Sequence, residues 1–240
     1  MTEAARWATI YSRDSLAELL NGSRIQNESY QNDIELLRGS IKNYQTLLAS
    51  NQNENQKLSS SLAEKEATGT VELGFMGAIL RGNNEGLNIF NITEEQWNLI
   101  REYKSPISIF VPGDAYKSYV VLNIEGTKIE MPATSISFYD EVHVGQITVS
   151  QDTSPDPSAQ LCGNILYNVP QAQSVHYNGS IQGSLLAVNA NVSGEEGGHV
   201  SGSVIAKSAE KFGIQAGSIT FNPPDSVVEN SKPVSKISIS

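Results

Sequence analysis

Apolar positions in the first quarter of the chain recur at helical spacing. They fall at Leu16, Leu20, Tyr30, Ile34, Leu37, Ile41, Tyr44, Leu48, Leu58 and Leu62. From Ile34 the interval alternates three and four through Leu48 and resumes at Leu58 and Leu62. Asn51 and Asn55 fill the gap, which gives the a/d stripe of a heptad pattern. Asn32 followed by Glu35 reads as a capping pair at the start of one helix, and Gly22 and Gly39 read as breaks. One unbroken helix over 14–67 would be roughly 80 Å long at about 1.5 Å per residue. Five to eight stacked β layers, at about 4.8 Å each, reach only roughly 25–40 Å. The region is therefore expected to divide into two or three helices packed on the β part. A coiled coil between copies of the chain is the alternative.

From Gly69 the pattern changes to short β segments. VELGFMGAIL (71–80), LNIFNI (87–92), ISIFV (107–111), YVVLNI (119–124), SISFY (135–139) and ITV (147–149) are separated by Gly, Pro, Asn and Asp. Thr93-Glu-Glu-Gln is a capping box leading into a short helix, WNLIREY. Residues 151–158 are a loop by composition, and after Phe221 the chain reads as a tail. The expected domains are a helical segment at 1–68, a β domain at 69–222 and a flexible tail at 223–240.

A repeat lies inside the β part. GSIQGSLLAVNA (179–190) aligns without gaps to GHVSGSVIAKSA (198–209), an offset of 19 residues, and GSI returns at 217–219. Repeats near 20 residues that combine β segments with glycine corners are the mark of stacked β coils, each sharing its core with the next. Alternation points Ile181, Val200 and Ile219 inward. Gly183 and Gly202 take corners that need positive φ or a tight wall. Ser180, Gln182, Ser184, His199, Ser201, Ser203, Ser218 and Thr220 are expected to form outward ladders, the candidate binding residues.

Charge narrows the partners. The chain carries 26 acidic against 16 basic residues, with no basic run. That balance disfavours nucleic acid and anionic membranes. No stretch of about 18 apolar residues predicts a membrane span, and the N-terminus lacks the apolar core of a signal peptide. One cysteine, Cys162, rules out an internal disulfide. His143, His176 and His199 are too far apart for a local metal motif. A calcium site around Asp140, Glu141 and His143, or in the loop with Asp152 and Asp156, fits no standard spacing. No cofactor and no metal are expected.

The stretch 163–212 resembles the end of the choice-of-anchor A domain, a family of secreted, surface-attached proteins, some labelled collagen-binding. The residues that carry this are ILYNVP (165–170), SVHYNGSIQGSLLAVNANV (174–192) and VSGSVIAKS (200–208). LNIFNI, ISIFVP and YVVLNIEG look like the family's preceding strands, and the helical stretch before Gly69 sits where the family has helices. The resemblance implies a right-handed β-solenoid with a helical segment packed alongside. It also implies adhesion or display at a surface, and no catalytic residues. Family members usually carry a further glycine-rich β region before the helices, so half of the usual solenoid is expected to lie outside this chain.

The expected class is thus mainly β with helices, and the expected function is an extracellular or cell-surface adhesive module that is not an enzyme. Matrix or cell-wall components are the expected partners, with homo-oligomers through the helical segment. Ice binding through a flat hydroxyl face is the first alternative, although Thr-x-Thr strands are missing. A β-helix carbohydrate-active enzyme is the second, and it would need paired carboxylates at outward positions.

Overall fold

The computed structural model describes residues 3–74, 77–150, 157–195, 198–210 and 221–223, with side chains from Ser15 onward. The third repeat copy at 217–219, with Ser218 and Thr220, lies outside the described residues, as do Asp152, Asp156 and the tail after 223. The chain divides into two compact units, Met1–Gln52 and Asn53–Ser240.

The first unit is helical over its whole described length. It belongs to α1 (Glu3–Glu64), a single helix of 62 residues. The expected breaks do not occur. Gly22 and Gly39 sit inside the helix with open space around them, each costing about 1 kcal/mol relative to alanine, too little to end a helix of this length. Asn32 and Glu35 are interior residues rather than a cap. Every side chain from Ser15 to Gln52 is exposed, the apolar seam included.

The second unit is mainly β. β1 (Gly69–Gly74) and β2 (Gly77–Gly82) form an antiparallel hairpin where one strand was expected. β3 (Leu87–Ile92) runs into α2 (Glu94–Glu102), and Thr93 and Gln96 make both hydrogen bonds of the capping box. Then follow β4 (Ile107–Phe110), β5 (Tyr119–Ile124), β6 (Lys128–Met131), β7 (Ile136–Tyr139), β8 (Ile147–Thr148) and α3 (Pro157–Gln160). β9 (Ile165–Asn168), β10 (Ser174–Tyr177), β11 (Ser184–Gly194) and β12 (Val204–Glu210) complete it.

Pairing between successive strands is mostly parallel. One sheet has the order β1-β2-β4-β7-β8; the other runs β3-β5-β9-β11-β10-β6, with β12 beside β11. The second curls, because β11 is long enough to pair with β9 through its first residues and with β10 through its last. The result is a mixed helix and strand unit with a curled parallel sheet, a half-barrel. Its core is stacked in register. Phe90, Leu122, Tyr167, Leu185 and Val204 occupy equivalent positions on five successive strands, and the first four are buried. Residues of one kind stacked this way bury side chains that no single strand could cover.

The 19-residue offset is visible as pairing. Ile181 bridges Val200, and Leu185, Leu186 and Ala187 pair with Val204, Ile205 and Ala206. Beyond Ala187 the register shifts, so that Asn191, Val192 and Ser193 meet Ser208, Ala209 and Glu210. The offset there is 17, and a bulge takes up the two extra residues of β11. The glycine corners act in the two expected ways. Gly183 has φ +138°, and a Cβ on Gly202 would lie 2.5 Å from the Gly183 carbonyl.

The end of α1 belongs to this unit and docks on it. Leu62 packs with Leu87, Ile89, Val121, Leu166 and Leu186. Beside that patch Asn91, Asn123 and Asn168 stand one above another on β3, β5 and β9. Their side-chain amides donate to the carbonyls of Lys65, Leu62 and Ser59 respectively. Three helical residues rise about 4.5 Å, close to the strand spacing of about 4.8 Å. One asparagine per strand can therefore reach one carbonyl per turn.

Candidate functional site

β6, β10, β11 and β12 present a parallel face whose inward residues, Ile129, Val175 and Val192, are buried. Alternation then turns two columns outward. One is Lys128, Ser174, Asn191 and Ser208; the other is Glu130, His176, Ser193 and Glu210. All eight are exposed or half-exposed. Neighbours in a column repeat at the strand spacing, so four strands span about 14 Å. Lateral hydrogen bonds tie the columns: Ser208 Oγ donates to Asn191 Oδ1 at 2.8 Å, and His176 Nδ1 lies 3.1 Å from Ser193 Oγ. Arg101 on α2 pairs with Glu130 at the rim. The surface carries three serine hydroxyls and one asparagine amide among the eight positions, with one lysine against two glutamates.

The residues expected from the repeat divide differently. Ser180 and His199 are half-exposed and bonded to each other at 2.9 Å. Ser203 is half-exposed, and its amide donates to Ser184 Oγ. Two of the expected outward positions are corrected. Gln182 is buried: its amide group accepts from Ile136 N and donates to Val149 O, closing the edge of the β7 sheet. Ser184 is buried beside Leu166, on the face that the end of α1 covers. Ser201 is half-exposed, but its hydroxyl is buried and lies against the Cys162 thiol. The reason is local. The bend at Gly183 interrupts the alternation, so period two cannot be carried from 180 to 184. The face described above was signalled elsewhere, by the alternation of KIEM (128–131) and SVHY (174–177).

Burial pushes the Cys162 thiol up to about 11, with the Ser201 hydroxyl acting in the opposite sense. A thiol so raised stays protonated and unreactive at neutral pH.

A second exposed surface lies across β2, β4 and β7. Arg81, Phe110 and Tyr139 stack at paired positions, the two rings 4.6 Å apart and nearly parallel and the guanidinium 4.6 Å above Phe110. They border an open cleft of about 540 Å³ that also touches Asp140 and His143. Asp114, Asp140 and His143 bring one ligand atom each to within 4.8 Å of the others. Each carboxylate is already engaged by groups of these two loops. Asp140 accepts from the amides of Ala115, Val142 and His143 and contacts the His143 ring at 2.8 Å. Burial works against its charge, but those bonds prevail and hold the carboxyl below its ordinary range. Asp114 contacts Lys117 and accepts from Tyr116 N, and it too is lowered, first by Lys117. This is the chemistry of a braced turn.

No described helix is long and apolar enough to cross a membrane. No curated protein and no solved structure matches the chain. A family model, Putative Ice-binding-like adhesive domain, matches residues 10–221. That span takes in the end of α1, both sheets and the polar face, and the chain therefore belongs to this adhesive-domain family.

Proposed function

We propose that the chain is a non-catalytic adhesive module that acts outside the cell or at its surface, and that the β6-β10-β11-β12 face makes the contact. The observation that carries this reading is the pair of outward polar columns in register on a parallel sheet. Such a face offers donors and acceptors at a fixed repeat, already ordered before contact. Little side-chain entropy is then lost on binding a repetitive polymer. Membership of the adhesive family supports the same reading. In finer detail we propose a right-handed β-solenoid of the choice-of-anchor A kind, with matrix or cell-wall polymers as ligands; collagen is one member of that class.

A second reading, ice binding, is favoured by the hydroxyl groups of Ser174, Ser193 and Ser208 on that face. Two measurements separate the readings. Retention of the labelled chain on immobilised polysaccharides and matrix proteins is expected without thermal hysteresis at micromolar protein. Hysteresis without retention would replace adhesion by ice binding, and neither result would leave the adhesive reading without support.

A further inference from the structure

Over residues 15–52 α1 buries no side chain, yet it carries a largely apolar seam, interrupted by Ser23, Asn27 and Asn51. Helices in water draw most of their stability from packing such a face. We infer that this seam pairs with α1 of a second copy of the chain as a parallel, in-register, two-stranded coiled coil.

One heptad register runs from Leu16 to Leu62 without a skip. With Ile34 as position a, Leu37 is d, Ile41 is a and Tyr44 is d. Ile34 and Ile41 at a around Leu37 at d form the combination that favours two strands, and the polar Asn27 at a specifies register. Gly22 and Gly39 fall at c and f, off the seam, which explains why they neither break the helix nor interrupt its apolar face. Leu62, the last a position, is already buried in the β unit of its own chain, so the free seam ends before it.

Charge and polar layers select the second copy and its direction. Asp33 is g and Arg38 is the following e. In a parallel pair these face each other across the seam, once on each side. From Leu19 to Ser59 no g-to-e' couple joins like charges. An antiparallel pair sets g against g' and e against e', so Asp33 and Arg38 would no longer face each other and both ion pairs would be lost. Asn27, at a, meets itself only when the two copies are in register; a slip of one heptad would bury it against Ile34. Pairing would present the β unit in two copies, which strengthens retention on a repetitive surface without any new contact. That consequence rests on the adhesive reading, whereas the pairing does not.

Sedimentation equilibrium of the full chain should give twice the chain mass at micromolar protein. The double variant Ile34→Asn, Ile41→Asn should give the single mass while the melting transition of the β unit stays in place, which shows that the chain still folds. Asn27→Cys, oxidised in air, should form a disulfide-linked pair, since Cys162 is buried and does not compete. A single mass for the natural chain, a mass of three or four chains, an unchanged mass for the double variant, or no cross-link through position 27 would overturn the inference.

Discussion

Asn168 is fully buried and makes three hydrogen bonds. Its amide donates to Ser59 O and Asn123 Oδ1, and its oxygen accepts from Ser59 Oγ at 2.6 Å. Asn168→Ala would leave those partners buried without replacement, and a loss of about 2–4 kcal/mol in urea denaturation is expected. Val200 is also fully buried, so Val200→Asp should abolish a cooperative melt or lower it steeply. Ser201→Asp should destabilise as well, because its hydroxyl is buried against Cys162; Lys207→Gln, at an exposed site, is the silent control. Asp140 gives a pH dependence. Its folded-state pKa is depressed, so its contribution is complete above the unfolded value of about 3.9 and is lost as pH falls through the folded value. Asp140→Asn should lower stability at neutral pH and flatten the acid limb of a melting-temperature profile below about pH 4. An unchanged acid limb would remove Asp140 from that role.

At the scale of elements, those defined by local chemistry were legible in the sequence. The Thr93 capping box sets α2, and Thr93→Ala should cost about 1 kcal/mol. β3 and β5 have the bounds that their apolar alternation predicts. The 19-residue offset fixed the pairing from Ile181 to Ala187, but not the shift at Asn191, since a bulge leaves no periodic trace. Gly183→Ala should be strongly destabilising: φ is +138° and the new Cβ would meet Ile165 O at 2.9 Å. The continuity of α1 is not legible in the sequence, because glycine and asparagine read as breakers while both glycines lie off the seam. Burial at Gln182 and Ser184 escaped for another reason. It depends on Ile136, Val149 and Leu166, which are distant in sequence.

For the whole molecule, the decisive property is which face of the β unit stays free. The outward side of β3, β5 and β9 is covered by the end of α1, while the outward columns of β6, β10, β11 and β12 are exposed or half-exposed among the described residues. The sequence located the repeat but assigned its outward ladder to the bend around Gly183. The exposed polar columns lie on neighbouring strands, at Ser174, His176, Asn191 and Ser193. Contact through that face is the claim on which the function rests. Its direct test is retention on an array of immobilised polysaccharides and matrix proteins, collagen included, comparing the natural chain with the variant Ser174→Glu, Asn191→Glu. Both sites lie outside the core, so the variant should still melt cooperatively, and retention is compared well below that transition. The natural chain should be held by at least one surface and the variant released from it. Equal retention of the two would contradict contact through this face.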